Sequence, residues 1–333
     1  MNEKIYQMTN ILIFIIVILV IAALVQIVRV SELLSEIKNQ DVNEVTDNDN
    51  NTQGLLFLII GFGFLVFVVW QMITWNHLLL PPASSVHGTQ IDLLMKVSMG
   101  LIITVFFITS PLLFYFVYKY RGKKSNKAYF LSHNNKLEVV WTVIPTIALT
   151  ALIIFGLKTW DNAMNVEVTE STQFIEVYAQ QYNWTARYSG LDNKLGRANY
   201  KLVKGQNTLG VDMSDVNSAD DKMAREVHLV VNEPVLLKFR SQDVIHSAYL
   251  PHFRVQMNCV PGITTQFGFT PNKTTDQMKE SEGEDFEYVL LCNKICGASH
   301  FNMQMKFIVE TQEEYDIWIA SQDNLEKKLL TQK

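Results

Sequence analysis

The chain has 333 residues, a net charge of −5, 48% hydrophobic residues and three cysteines. It contains no Cys-x-x-Cys-His sequence, which excludes a covalently attached c-type haem on this chain. The acidic balance gives no indication of a nucleic-acid partner. The mean hydropathy of +0.10 averages two unlike halves, because long apolar runs fill the first half and short alternating segments fill the second.

Four apolar runs cover roughly 10–28, 54–75, 97–118 and 139–157. Each is about as long as a helix that crosses a hydrocarbon core near 30 Å thick, and their bodies carry no charged residue. Trp75, Trp141 and Trp160 lie near the ends of runs, where an aromatic belt is expected. Pro111 and Pro145 interrupt two runs, which membrane helices tolerate. The pattern predicts four transmembrane helices.

The loop between the third and fourth runs is strongly basic, and basic loops mark the cytoplasmic side. We therefore expect both termini and the C-terminal domain on the other side, periplasmic if the host is a bacterial inner membrane. The loop at about 29–53 fits this orientation poorly, because it holds only Arg29 and Lys38 beside many acids. The first run is interpreted as a retained helix, since its charged start is weak and it is long for a signal peptide. The basic residues of the third loop are Lys119, Arg121, Lys123, Lys124, Lys127 and Lys136.

From about residue 165 the sequence changes to short alternating segments punctuated by Gly, Asn, Asp and Pro, a pattern typical of a β-sandwich or barrel. Thr311-Gln-Glu-Glu314 resembles a capping box and predicts a helix to about Leu330. The polar segment 189–222 is either a solvated loop or a contact with a partner complex, and the sequence leaves both open. The predicted strands are 174–178, 227–231, 234–239, 287–291 and 305–309.

A metal-ligand motif, C-x3-C-x3-H-x2-M, runs from Cys292 to Met303. Thiolates and thioethers select soft metals such as Cu(I), and a zinc site would not use Met. A single-copper blue site uses one Cys, so two cysteines in one loop imply a second copper that shares the thiolates. A disulfide or a buried structural thiol pair is the alternative, and it leaves His300 and Met303 unexplained.

This motif resembles the binuclear CuA loop of cytochrome c oxidase subunit II, and two upstream segments strengthen the resemblance. They are Asp243-Val-Ile-His246-Ser and Val260-Pro261-Gly262. His252 is the rival to His246, but it stands outside the family pattern. The resemblance implies two bridging thiolates (Cys292, Cys296), one His on each copper (His246, His300), a weak axial Met303, and the backbone carbonyl of Lys294 on the other copper.

The resemblance also implies a fold: a membrane α-helical half followed by an all-β, cupredoxin-like Greek-key sandwich. The family normally has only the last two spans, so this chain is interpreted as a bacterial type with an extra N-terminal helix pair. The predicted domains are 1–80 (extra helix pair and loop), 81–160 (transmembrane hairpin), 161–310 (CuA domain) and 311–333 (C-terminal helix).

The implied function is the electron-accepting subunit of a cytochrome c oxidase. It would pass electrons from cytochrome c to haem in subunit I, which reduces oxygen to water and pumps protons, and it would have no activity alone. The expected partners are subunit I, subunit III, membrane lipid and either soluble cytochrome c or a tethered cytochrome of a respiratory supercomplex. A copper-free quinol oxidase subunit is the alternative, which the intact ligand set disfavours. A nitrous oxide reductase is excluded by seven scattered His and four spans.

Tyr182-Asn-Trp184 occupies the place of the family's aromatic patch, usually W-Y-W, whose first aromatic accepts electrons from cytochrome c. By that resemblance Tyr182 is the acceptor residue, although aromatics in strands are more often core. Asp243 matches an acid that binds cytochrome c in the family. An acidic run at 280–287 is either a solvated face or a rim that steers a basic haem protein, in which case low ionic strength should speed electron transfer.

Three further residues have predicted roles. Glu138 matches a carboxylate at the mouth of the family's proton channel, although an acid at a span's end is ordinarily a boundary charge. Lys294 stands where the family usually has a Glu that reaches Mg²⁺, and an ammonium cannot ligate a cation. We therefore expect no Mg²⁺ ligand from its side chain. Cys259 is predicted to pack in the core near the copper.

Overall fold

The structure, a computed structural model, describes residues 2–37, 44–165, 167–325 and 327. Four long helices come first, and each is long and apolar enough to cross a membrane. All four extend beyond the apolar runs predicted from the sequence. The helices are α1 (Asn2–Ile37), α2 (Asp47–Trp75), α3 (Val86–Lys119) and α4 (Asn135–Met164).

One compact unit comprises Met1–Met72 and Val105–His133. In it, α2 packs closely on α3 through glycine, which lets helix backbones approach. Gly61 is buried, and a Cβ there would collide with the ring of Phe114. The ring of Phe57 lies tilted against that of Phe114 on the same interface, with the ring centroids 6.5 Å apart. The side chains of α1 from Ile11 to Leu34 are exposed.

The acidic start of α2 is bonded to the basic segment that follows α3. Asp47 Oδ1 accepts a hydrogen bond of 2.8 Å from the Lys124 backbone N–H, and Lys124 Nζ lies 3.0 Å from Glu44. Arg121 donates to Asn51 at 2.6 Å. Glu44 and Asp47, two of the acids that fit the predicted orientation poorly, therefore bond the basic segment at the same end of this helix pair.

The second unit, Ile73–Thr104 with Asn134–Lys333, contains a β-sandwich. Its described residues form two five-stranded sheets, ordered β3-β2-β1-β5-β8 and β4-β10-β9-β6-β7. β1 runs parallel to β5, and β4 runs parallel to β10, so crossover connections link the sheets. The strands are β1 (Gln173–Gln180), β2 (Asn183–Tyr188), β3 (Lys222–Ala224), β4 (Val227–Val230), β5 (Val235–Ser241), β6 (His246–Leu250), β7 (Val255–Cys259), β8 (Thr265–Phe269), β9 (Tyr288–Cys292) and β10 (Gln304–Glu310).

All five predicted strands are present, as β1, β4, β5, β9 and β10. Five others were not predicted from the sequence: β2, β3, β6, β7 and β8. One core lies between the sheets and takes side chains from both. Its largest fully buried members include Trp184, Phe239, Phe253, Phe269, Tyr288 and Phe307.

Two short helices pack on the sandwich. α5 (Thr275–Glu282) was not predicted, although Thr274 and Gln277 form a capping box at its start. α6 (Gln312–Ser321) begins at the predicted capping box of Thr311 and Glu314. It ends at Ser321, because Gln322 is extended, and not at Leu330, which lies outside the described residues. His228 stacks on Trp318 at 3.8 Å and fixes α6 to the sheet.

The polar segment 189–222 is structured and its end is anchored in the sandwich. Asp221 is fully buried, and its Oδ2 lies 2.6 Å from Arg187 Nη1. Arg187 also bonds Glu176 at 2.6 Å, and Arg240 bonds the same carboxylate. Such an anchor excludes a wholly solvated loop. Whether the segment contacts a partner stays a prediction.

Candidate metal centre

The site is built where β6 begins and β9 ends. These strands are antiparallel neighbours, with Ala248 opposite Cys292. His246, two residues before Ala248, therefore faces the start of the loop that leaves Cys292. That loop, 293–303, returns to the sheet as β10. Two segments that are distant in sequence thus meet at one end of the sandwich.

Four predicted ligands form a row of close contacts. His246 Nδ1 lies 3.8 Å from Cys292 Sγ, and the two cysteine sulfurs are 3.8 Å apart. Cys296 Sγ lies 3.6 Å from His300 Nδ1. The ligand atoms of His246, Cys292 and Cys296 are all within 4.8 Å of one another. A thiol pair therefore lies between two imidazoles.

The two weaker predicted donors lie at opposite sulfurs. Met303 Sδ is 3.7 Å from Cys296 Sγ, and the Lys294 carbonyl oxygen is 3.3 Å from Cys292 Sγ. The Lys294 side chain is exposed. All six predicted donors are brought together, with the carbonyl on the His246 side and the thioether on the His300 side.

The donor set fits a soft metal and does not fit a disulfide. The sulfur separation is nearly twice the S–S bond length of about 2.05 Å, and both cysteines are free. Burial, together with the neighbouring Cys292 thiol, raises the pKa of the Cys296 thiol to about 11. A metal would therefore have to displace the Cys296 proton on binding. Two thiolates, two imidazoles and a thioether are the ligands that copper prefers.

Asp243 orients His246. His246 is fully buried, and its Nε2 lies 2.8 Å from Asp243 Oδ1, which leaves Nδ1 facing Cys292. The carboxylate also accepts from the backbone N–H groups of Gln181 and Val244, each at 2.7 Å. Burial alone would raise the pKa of Asp243, but these hydrogen bonds hold it below its usual value.

The rival histidine does not join the cluster. His252 lies beyond the other end of β6, where its ring packs 5.0 Å from Phe286 and 5.5 Å from Tyr288. Burial, with the charge of Arg254, lowers its pKa to about 4. The geometry therefore supports His246 as the ligand. His252 itself is half-buried.

The two predicted aromatics flank the metal loop. Trp184 is buried, its Nε1 donates to the Met303 carbonyl at 3.4 Å, and its ring lies 6.0 Å from that of His246. Tyr182 is 37% exposed, and its hydroxyl accepts from the Ala298 N–H at 3.0 Å. Tyr182 thus connects the protein surface with the loop, and Trp184 supports the loop from the core.

The acidic run is exposed and lies away from the cluster, which favours a solvated face over a rim at the metal. Glu287 precedes β9 and pairs with Lys306 at 2.8 Å. The five residues from there to Cys292 span about 17 Å of strand. Glu280 and Glu282 lie in the last turn of α5. This helix packs on the end of β10 that is distant from the metal loop. The acids are close to the metal loop in sequence, but β9 separates them from it, so they lie at the opposite end of the β-sandwich.

Glu138 also lies apart from the cluster, in the first turn of α4. Its Oε1 accepts from the Asn134 N–H at 3.3 Å, and Asn134 caps the helix through Leu137. The 30 residues of α4 correspond to about 45 Å, and the β-sandwich follows at the other end of this helix. The observed local role of Glu138 is therefore helix capping.

Two further residues lie beside the site, Cys259, whose place was predicted, and Gln181, whose contact was not. Cys259, opposite His246 in the β6–β7 pair, is fully buried, and burial raises its pKa to about 12. This confirms its predicted place in the core. Gln181 was missed; its side chain donates to the Cys296 carbonyl. The available signal was its position in a two-residue turn just before the aromatic patch.

Comparison with known families decides which family has this arrangement. Residues 68–159 match the family model "Cytochrome C oxidase subunit II, transmembrane domain", and residues 174–311 match "Cytochrome C oxidase subunit II, periplasmic domain". The chain belongs to the cytochrome c oxidase subunit II family. This confirms the family resemblance and makes the chain a membrane protein whose β-sandwich is the subunit's copper domain. Residues 1–67 precede both matches.

Full-length relatives of this subunit II support the assignment. The alternative cytochrome c oxidase subunit 2 of Bradyrhizobium diazoefficiens is 29% identical over 272 residues, which cover 80% of this chain and 91% of the relative. Cytochrome c oxidase subunit 2 of Synechocystis is 25% identical over a region that covers 80% of this chain and 82% of the relative. Cytochrome c oxidase subunit 2 of Cereibacter sphaeroides is 26% identical over a region that covers 72% of this chain and 78% of the relative.

Proposed function

We propose that this subunit II holds two copper ions in the cluster around Cys292 and Cys296 and accepts electrons from cytochrome c. The observation that carries the proposal is the thiol pair at 3.8 Å with an imidazole on each side. Two coppers that share thiolates would delocalise charge, so their bond lengths would change little on reduction. The complete ligand set gives no support to a copper-free quinol oxidase subunit.

The protein's contribution is a set of ligands that cannot move far. His246 is held by β6 and Asp243, and Cys292 is the last residue of β9. Trp184 bonds the carbonyl of Met303 from the core. Ligands fixed by strands and by hydrogen bonds to their outer atoms keep one geometry in both oxidation states. Electron transfer through the cluster then requires little structural rearrangement.

We propose that electrons arrive at Tyr182, the exposed aromatic that contacts the loop at Ala298. Asp243 keeps part of its carboxylate exposed (29% of the side chain) beside this position and is the acid we assign to contact with cytochrome c. On the same loop, Ile295 and Phe301 are each 87% exposed, and apolar side chains so exposed favour a protein partner. We assign that partner to the haem-bearing subunit I, which receives the electrons. Subunit III completes the assembly.

We further propose that all four apolar helices span the membrane, with the loop 120–134 cytoplasmic and both termini periplasmic. The basic residues of the loop support this orientation. The domains would then be those expected from the sequence: an extra helix pair (1–80), a hairpin (81–160), the CuA domain (161–310) and the C-terminal segment (311–333).

Copper content tests the proposal, with Cys259 as the matched control. Cys292→Ser should remove both coppers from the purified oxidase and abolish oxidation of cytochrome c, because it removes the shared thiolate. Cys259→Ser should retain both coppers, since the Cys259 thiol is buried and outside the row of proposed ligands. Metal analysis per haem and cytochrome c oxidation measure the two effects. Retention of two coppers in Cys292→Ser would reject the proposed site.

A further inference from the structure

The turn between β1 and β2 is the shortest connection near the metal loop. Gln180 pairs with Asn183 across the two antiparallel strands, so the turn consists of Gln181 and Tyr182 alone. We call these two residues the clasp. Its position is fixed by the strand register, and both of its residues contact the metal centre.

On one side the clasp contacts the loop between Cys296 and His300. The Tyr182 hydroxyl accepts from the Ala298 N–H at 3.0 Å, and the Gln181 side chain donates to the Cys296 carbonyl. Gly297 lies between these two contacts with a φ of +137°, where a side chain would be strained and its Cβ would collide with the Tyr182 hydroxyl. The hydroxyl is therefore seated directly on the loop backbone.

On the other side the clasp reaches His246. The Gln181 backbone N–H donates to Asp243 Oδ2 at 2.7 Å, and Asp243 Oδ1 lies 2.8 Å from His246 Nε2. Thus one two-residue turn is linked to both ends of the ligand row. It reaches His246 through a carboxylate, and it reaches the segment between Cys296 and His300 through backbone hydrogen bonds.

We propose that the clasp is a positioning device that fixes the distance between the His246 end and the His300 end of the dicopper site. This inference rests on the proposed function. The Tyr182 hydroxyl is the specific element, because a phenylalanine has no acceptor and an indole N–H only donates. Tyr182 then has two separable functions: its ring provides the electron path, and its hydroxyl positions the loop.

The positioning role of the Tyr182 hydroxyl can be distinguished from a contribution to global folding stability. Ala298 is exposed, so its N–H can bond water when the tyrosine hydroxyl is removed. Global folding should therefore change little. The local spacing of the ligands should change, since no other hydrogen bond is observed from this turn to the backbone at 297–298. Support of this kind around metal ligands changes metal affinity by about 10-fold to 100-fold.

The test uses the complete oxidase with Tyr182→Phe, Tyr182→Trp and Gln181→Glu. Both Tyr182 variants keep an aromatic ring but lose the acceptor, and the glutamate loses the donor to the Cys296 carbonyl. The control is Tyr200→Phe, an exposed tyrosine of the segment 189–222. The measurements are the reduction potential of the copper centre, its electron paramagnetic resonance signal and the rate of copper loss to a chelator.

We expect all three variants to shift the potential and the copper signal and to lose copper at least about 10-fold faster, while Tyr200→Phe matches the wild type. Wild-type potential, signal and copper retention in Tyr182→Phe would overturn the inference while the dicopper assignment stands. A wild-type oxidase without a dicopper signal would instead overturn the proposed function.

Discussion

The orientation of His246 depends on a carboxylate that also serves the backbone around it. Asp243 bonds the imidazole and two backbone N–H groups, so its negative charge lies directly behind a proposed copper ligand. A negative charge so close to a metal ligand favours the more positive, oxidised state of a metal centre. Asp243 therefore acts on the redox properties of the site as well as on its geometry.

Asp243→Asn is predicted to raise the reduction potential of the copper centre while copper stays bound. The amide oxygen still accepts from His246, but the charge is gone, and so is the acceptor for the Gln181 N–H. Asp243→Ala removes the acceptor for His246 as well and should weaken copper binding by about 10-fold to 100-fold. Redox titration and a chelator competition measure the two effects. An unchanged potential in Asp243→Asn would show that the charge has no influence on the centre.

At the scale of residues, the sequence was sufficient to propose the donors that the structure brings together, but not their supports. The resemblance of the Cys292–Met303 loop and of the Asp243–His246 segment to the family's copper site implies all six proposed donors. The contacts of Gln181 with Asp243 and Cys296 depend on strands that are about sixty and more than a hundred residues apart in the chain. No local pattern records which way these side chains point, so these contacts appear only in three dimensions.

At the scale of elements, alternation predicts a strand only where apolar residues occupy its buried face and polar residues its exposed face. β6 carries the buried polar residues His246 and Ser247, and β2 carries the buried Arg187. Their pairing with neighbours and their ion pairs stabilise these strands, and neither is visible in a hydrophobic pattern. α6 is shorter than predicted because its start has a sequence signal whereas its end has none.

The contact between α2 and α3 depends on one glycine, and a second glycine two residues later provides a control. Gly61→Ala should destabilise this helix pair by about 1–3 kcal/mol, because its methyl group would collide with Phe114. Gly63 has open space around it, so Gly63→Ala should be neutral or stabilise by up to about 1 kcal/mol through helix propensity. The melting temperatures of the purified subunit in detergent compare the two variants. Equal melting temperatures would refute the close packing.

At the scale of the whole molecule, chemistry is concentrated at one end of the sandwich, and chain order is a poor guide to that end. The acids of 280–287 are close in sequence to Cys292 but a strand's length away in space. Electrostatic steering of cytochrome c then depends on Asp243 and on the net charge of −5. The four apolar runs were correctly predicted as helices because a membrane span needs only length and composition.

Glu138 is the one proposed functional residue far from the copper domain, and its capping contact suggests how to test it. Glu138→Gln keeps an acceptor for the Asn134 N–H but cannot take up a proton. If the carboxylate admits protons to the oxidase, Glu138→Gln and Glu138→Ala should both slow proton uptake and turnover with an unchanged copper signal. Normal turnover in Glu138→Gln, with a defect only in Glu138→Ala, would reduce the residue to a helix cap.

The central claim is that the two cysteines share two coppers. The electron paramagnetic resonance spectrum of the purified oxidase tests it most directly, because delocalisation over two equivalent metals gives a spectrum that one copper cannot give. The account predicts a mixed-valence dicopper signal in the wild type and its loss in Cys292→Ser. A mononuclear copper signal from the wild-type subunit would contradict it.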